Sequence, residues 1–161
     1  LTADQTGLVP PLPADTPAEY RIAGNAACVE CHQDDDRLWK DSKHAKAWEN
    51  IKELGRQVDP YCQQCHTTGY GLPGGFISIG KSLKLINVGC EACHGPSQSH
   101  VDNPDIKTPF DAKDQCVRCH DRENSPKFNY DQYWDKIKHG ETPGTRPARP
   151  TTSATAKDAK S

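Results

Sequence analysis

Cys28-Val29-Glu30-Cys31-His32 is the first of four C-x-x-C-H segments in this chain, and the other three are Cys62-Gln63-Gln64-Cys65-His66, Cys90-Glu91-Ala92-Cys93-His94 and Cys116-Val117-Arg118-Cys119-His120. Together they use all eight cysteines and four of the seven histidines. Two residues between the thiols allow both sulfurs to reach the vinyl groups of one porphyrin, and the adjoining histidine can then bind its iron. The repeats therefore predict four covalently attached haem c groups, each with its iron.

Other sites also use paired cysteines. Four C-x-x-C pairs could form two zinc ribbons, redox-active dithiols or an ordinary disulfide framework. None of these requires a histidine directly after every second cysteine, so haem is the favoured interpretation. The predicted attachment residues are Cys28, Cys31, Cys62, Cys65, Cys90, Cys93, Cys116 and Cys119, and the predicted proximal iron ligands are His32, His66, His94 and His120.

Fewer residues are available as distal iron ligands than the four haems require. Only His44, His100 and His139 remain, and the chain has no methionine, which excludes the histidine–methionine ligation that raises haem potentials. At most three haems can therefore be bis-histidine within one chain, and these should be low-spin with low potentials. The fourth iron is expected to be five-coordinate, bound to water, or capped by a lysine, the terminal amine or a neighbouring chain.

The composition agrees with a core built around cofactors. Leu, Ile, Val and Phe total 24 of 161 residues, which is few for a core made of side chains alone. The formal charge of −2, with no basic stripe, argues against a nucleic-acid partner, and no apolar run reaches membrane-spanning length. The chain starts at Leu1, and we interpret it as the mature form of an exported precursor, periplasmic or extracellular.

Three segments follow from the distribution of residue types. Residues 1–24 are predicted to be an extended, proline-rich N-terminal arm, 25–140 a tetrahaem cytochrome domain, and 141–161 a low-complexity tail of Thr, Ser, Ala, Pro and Lys that is disordered in solution. The fold class predicted is mainly α with much irregular loop and one short β-hairpin, around a haem-packed core.

Individual elements can be placed within the central segment. Apolar spacing predicts a helix from Leu38 to Leu54 that carries His44 and stops at Gly55. Alternating apolar residues on both sides of Gly80-Lys81-Ser82 predict the hairpin, over 77–85. A second helix, from Tyr130, is predicted to carry His139 at its end and to stop at Gly140.

Several segments outside the haem motifs resemble the tetrahaem cytochrome c-554 family. They are Trp39-Lys-Asp-Ser-Lys-His44-Ala, Cys65-His66-Thr-Thr-Gly-Tyr70 with Gly74-Gly75-Phe76, Val88-Gly89-Cys90-Glu-Ala-Cys93-His94-Gly95-Pro96 with His100, and the last helix ending in His139. The resemblance covers 25–140. The arm and the tail are not part of it.

The resemblance implies a set of iron ligands. It pairs His32 with His100 on haem one, His94 with His44 on haem three, and His120 with His139 on haem four. His66 on haem two is left without a partner. It also implies that the haems are stacked in closely packed pairs. A second resemblance is to compact tetrahaem cytochromes that polymerise into extracellular filaments.

Three functions remain open at this point. The first is electron transfer as a periplasmic carrier that meets redox partner proteins. The alternative is a protomer that assembles with its own copies into an extracellular conductive filament. A less favoured third is a reductase or oxidase of small nitrogen compounds at the five-coordinate haem on His66, for which the sequence identifies no catalytic residue.

Overall fold

The computed structural model describes residues 1–140, so the predicted tail at 141–161 lies outside the described residues. Within residues 1–140 the chain forms short helices joined by irregular loops. The α-helices are α1 Asn25–Val29, α2 Gln33–Asp41, α3 Ala47–Glu53, α4 Pro60–His66, α5 Cys90–His94, α6 Gln98–Asp102, α7 Ala112–Val117 and α8 Tyr130–Ile137. Single 3-10 turns lie at Ala3–Gln5, His44–Lys46 and Leu83–Leu85. The predicted mainly helical fold with much irregular loop is confirmed.

The predicted hairpin over 77–85 is wrong. Ser82 closes a turn there, because its N–H donates to Ser78 O at 2.9 Å and its Oγ accepts from Ile77 N at 3.0 Å. The residues that follow the turn form a 3-10 helix rather than a returning strand. Of the four alternating apolar residues, Ile79 and Leu85 contact the buried core, whereas Ile77 and Leu83 are exposed.

The helix predicted from Leu38 to Leu54 is two helices. α2 ends at Asp41 because Ser42 is extended and its hydroxyl donates to Trp39 O at 2.6 Å. His44 then lies in a 3-10 turn before α3 begins. The stop at Gly55 agrees with the prediction, since this residue has a φ of 68°, a conformation that favours glycine. The helix predicted from Tyr130 is present as α8, but it ends at Ile137 rather than at Gly140, so His139 lies beyond its end.

The buried apolar core is small and holds part of the N-terminal arm. Its members are Ala3, Trp48, Ile51, Tyr70 and Phe76. Ala3 is 2% exposed, and its N–H donates to Ile77 O at 2.8 Å. Ile22, at the other end of the arm, is 4% exposed. The N-terminal arm is therefore packed into the molecule at both of its ends.

A helix that crosses a membrane needs about 20 consecutive, mostly apolar residues. Within residues 1–140, no helix combines the length and the apolar character needed to cross a membrane.

Candidate haem sites

Each C-x-x-C-H segment lies on a helical turn. Segments two and three fall within α4 and α5, and segments one and four start at the ends of α1 and α7. His32 N donates to Cys28 O, and His120 N donates to Cys116 O, both at 2.9 Å. Such i to i+4 bonds bring the first cysteine and the histidine of a segment onto one face of the chain. The local backbone therefore presents the thiols and the imidazole together.

Six of the seven histidines lie in three neighbouring pairs, with their ring planes tilted relative to each other. The distances between ring centres are 6.2 Å for His32 and His100, 6.0 Å for His44 and His120, and 5.9 Å for His94 and His139. Two imidazoles that bind one iron from opposite sides should have ring centres about 6.4 Å apart, because a metal–nitrogen bond is about 2.1 Å and the ring centre lies about 1.1 Å behind the nitrogen. The three observed separations lie within about half an ångström of this value.

Two of the three neighbouring pairs differ from those that the resemblance implied. His32 lies beside His100 as implied, but His44 lies beside His120 rather than His94, and His139 lies beside His94 rather than His120. The ring centre of Tyr133 in α8 lies 6.3 Å from that of His120. α8 ends at Ile137, and His139, two residues beyond its end, lies beside His94 rather than His120.

His66 is the histidine left over. Its ring is not among the histidine pairs found within residues 1–140. The His66 Nδ1 instead lies 2.5 Å from Ala47 O, at the start of α3. Seven histidines cannot fill eight axial positions, and the position without a histidine is the one opposite His66, at haem site two.

Contacts of the Nδ1 atom hold five of the histidine rings in place. Nδ1 lies within hydrogen-bond distance of a backbone carbonyl in His66, His100 and His139, of the Ser125 hydroxyl in His120, and of the Asp35 carboxylate in His32. An imidazole that donates from Nδ1 has its Nε2 lone pair available for a metal. These contacts therefore select the tautomer that an axial ligand needs.

Burial disfavours the protonated form of three of the rings. It lowers the pKa of His44, His94 and His120 below the usual histidine value. Neighbouring imidazoles add to the effect, from His120 on His44 and from His139 on His94. Neutral imidazole is the form that ligates iron, so the environment favours binding.

Thiols from different segments lie next to one another. A direct contact between Cys28 and Cys90 raises the pKa of the first thiol and lowers that of the second. Cys65 and Cys119 make the same kind of contact, which lowers the pKa of Cys65 and raises that of Cys119. These pKa values belong to the free thiols, since a thioether carries no proton. The contacts show that segment one adjoins segment three and that segment two adjoins segment four.

A third neighbour relation links the two halves. Cys93 and Cys116 are close enough for Cys116 to add to the effect of burial, which raises the pKa of Cys93 to about 11. The helices agree, because α1 contacts α5 and α5 contacts α7. The four segments therefore follow one another in space in the order one, three, four, two.

Several residues that hold segment three were not identified from the sequence. Asn25 Oδ1 accepts from Cys90 N at 3.0 Å, and Thr68 Oγ1 accepts from Gly89 N at 2.9 Å. A Cβ on Gly89 would lie 2.5 Å from Asn25 Oδ1 and 2.7 Å from Thr68 Oγ1, so a larger residue there would displace the two side chains that hold the segment. Glu91, between the two cysteines, is 3% exposed. Among these supporting contacts, the one between His32 and Asp35 could have been found from the sequence, because the two residues are three positions apart.

The side chains present fit haem better than the alternatives weighed above. Among residues 1–140, no three or more His, Cys, Asp or Glu side chains converge as they would around a zinc ion. The histidines instead meet two at a time, which is the axial arrangement of a haem iron. The buried core is also limited to a few side chains, as expected where macrocycles supply apolar volume.

Comparison with known proteins agrees with this geometry. The family model described as cytochrome c554 and c-prime matches residues 27–95, which include the first three segments. Cytochrome c-554 of Nitrosomonas europaea is 37% identical over 103 residues, which are 55% of this chain and 42% of that protein. The resemblance to the tetrahaem cytochrome c-554 family is confirmed. The chain accordingly carries four covalent c-type haems.

Two further relatives extend the comparison. The multihaem cytochrome MtrA of Shewanella baltica is 29% identical over 117 residues, or 65% of this chain and 34% of that protein. The reduced-state structure of cytochrome c554 from Nitrosomonas europaea superimposes with a TM-score of 0.57 at 24% identity, over 75% of this chain and 85% of that one, which shows the shared fold. The matches span less than half the length of both curated relatives. Electron transfer through c-type haems is the function these relatives support for the chain.

Proposed function

We propose that this chain is a periplasmic electron carrier whose four haems form one continuous path. The proposed attachment sites are the eight cysteines of the C-x-x-C-H segments. The proposed axial pairs are His32 with His100, His94 with His139, and His120 with His44, and His66 is proposed to bind its iron alone. Bound haem supplies a reversible one-electron couple at each site.

The observation that carries this proposal is the spatial order of the segments. The contact of Cys28 with Cys90, the proximity of Cys93 to Cys116, and the contact of Cys65 with Cys119 join all four sites in one series. Because each thiol is bonded to the edge of its own haem, adjacent thiols place adjacent haem edges close together. Electrons can then enter at one end and leave at the other.

The protein residues contribute orientation and charge to this path. The Nδ1 contacts hold the imidazole rings in place, and Phe128 stacks on His120 with ring centres 4.5 Å apart. Phe110 packs on His94 in the same way at 4.4 Å. Rings held this firmly need little rearrangement when the iron changes oxidation state, and low rearrangement favours fast transfer.

A carrier is favoured over a filament protomer by the position of the N-terminal arm. Ala3 occupies the core of its own chain, and Ile22 N donates to Pro73 O at 2.9 Å. An arm used in this way is not free to pack into a neighbouring copy. The proposal that the chain acts alone rests on this intramolecular packing.

The experiment is to purify the four-haem protein and measure its mass in solution at rising concentration. We expect a monomer that accepts and returns four electrons per chain, without steady consumption of nitrite, hydroxylamine or nitric oxide. Concentration-dependent assembly into long polymers would support the filament function instead. Sustained turnover of one of the nitrogen compounds would instead identify an enzyme.

A further inference from the structure

One buried carboxylate lies between haem sites one and three. Glu91 is 3% exposed, and its partners are backbone N–H groups. Oε1 accepts from Ala23 N at 2.9 Å and Ser97 N at 2.8 Å, and Oε2 accepts from Gly24 N at 2.7 Å and Ala23 N at 3.0 Å. Both oxygens are acceptors, which is the pattern of an ionised carboxylate.

These contacts tie together three helices that belong to two sites. Gly24 precedes α1, which carries Cys28, and Ser97 precedes α6, which carries His100. Glu91 itself lies in α5 beside Cys90. Its single side chain therefore connects the attachment segment and the distal ligand of site one to the attachment segment of site three.

The charge of Glu91 is held away from water, because the residue is 3% exposed. Asp36, another buried carboxylate, is neutralised by Lys40 Nζ at 2.6 Å. The Glu91 charge instead acts on the thiols of both neighbouring sites, where it adds to the increase in the pKa of Cys28 and opposes the decrease in that of Cys90. A negative charge in a poorly solvated place stabilises nearby positive charge strongly.

From this placement we propose that Glu91 is a positioning residue that makes the haems on His32 and His94 the low-potential end of the electron path. Ferric haem carries one more positive charge than ferrous haem, so a fixed anion beside it favours the oxidised form. The haem on His120 lies further from this carboxylate along the path. Electrons should then enter at sites one and three and run towards sites four and two. This inference rests on the axial pairs of the proposed function.

The test compares three variants of the four-haem protein by a redox titration that resolves individual haems, with NMR signals of the haem methyl groups as the probe. Glu91→Gln keeps the shape and removes the charge, and Glu91→Asp keeps the charge. Glu30→Gln makes the same change at an exposed position of segment one. We expect Glu91→Gln to raise the midpoint potentials of the haems on His32 and His94, while Glu91→Asp stays near the wild type.

The same measurement has outcomes that overturn the proposal. Unchanged potentials in Glu91→Gln, a rise that Glu30→Gln matches, or a rise confined to the haem on His120 would each do so. If Glu91→Gln does not accumulate with four haems, the wild type still decides, because the haem on His120 must titrate above those on His32 and His94. Absence of bis-histidine haem signals in the wild type would refute the proposed ligands. Unchanged potentials in a Glu91→Gln variant that carries all four haems would refute only the role of Glu91.

Discussion

Histidine rings with similar neighbours should give haems with similar potentials, and His32 has a different neighbour from the rest. Its Nδ1 lies 3.2 Å from Asp35 Oδ2, whereas His66, His100 and His139 face backbone carbonyls and His120 faces a hydroxyl. A carboxylate partner makes the imidazole a stronger electron donor to its iron. The contact is partly open to water, with the side chains 41% and 31% exposed, so its effect is reduced by solvent.

Asp35→Asn should therefore raise the potential of the haem on His32. A hydrogen bond to a charged group exceeds a neutral one by about 1 kcal/mol, which corresponds to about 40 mV for one electron, and solvent screening reduces the expected rise to roughly 20–40 mV. Redox titration of the variant measures it. Asp34→Asn is the matched control, because Asp34 pairs with Arg37 and should leave every haem unchanged. An equal rise in both variants would contradict the specific role of Asp35.

At the residue scale the sequence indicates candidate ligands but not the residues that support them. The regular C-x-x-C-H spacing predicts the attachment cysteines and the adjoining histidines. Glu91 has no such signal, because the residues between the two cysteines are free to vary and only the fold shows which of them is buried. Asn25 and Gly89 likewise become informative only once Cys90 is placed beside them.

At the scale of elements, short helices bring distant histidines together. α8 runs past His120 at Tyr133 and delivers His139 to His94, while the 3-10 turn after α2 delivers His44 to His120. Val88 N donates to His44 O at 3.1 Å and holds that turn. Spacing along the chain cannot reveal such a pairing, because it depends on the directions in which separate helices leave their loops.

Replacement of single distal histidines tests the pairing. His44→Ala should expose the iron on His120, and His139→Ala should expose the iron on His94, so each variant gains one high-spin haem. NMR signals of the haem methyl groups identify which haem has changed. His100→Ala is the control, since it should expose the iron on His32 under either pairing. A loss of the His94 signals in His44→Ala would restore the pairing implied by the family resemblance.

The hairpin shows why one element was predicted incorrectly. The alternating apolar residues over 77–85 do not form one buried face, because Ile79 and Leu85 contact the core while Ile77 and Leu83 are exposed. Pairing of the flanks would have required a partner strand, and the described chain has only the isolated bridge between Thr67 and Ile86. The helices at 47–53 and 130–137 were easier to predict, because a glycine follows each of them within three residues.

At the scale of the whole molecule, the cofactors define the architecture. The largest α-helix described has nine residues, and helices shorter than about 12–15 residues are marginal on their own in water. The buried core of five side chains adds little to this. We therefore propose that the chain folds around four haems. Histidine pairs fill both axial positions of three irons, and the iron on His66 has one axial position free.

Carbon monoxide titration of the fully reduced four-haem protein tests this central claim most directly. Carbon monoxide binds ferrous haem only where a coordination position is open, so the histidine count and the three ring pairs predict about one molecule bound per chain. The spectrum of the other three haems should remain low-spin and unchanged. No binding would show that another ligand closes the iron on His66, and two or more molecules per chain would show that at least one of the three histidine pairs does not hold an iron.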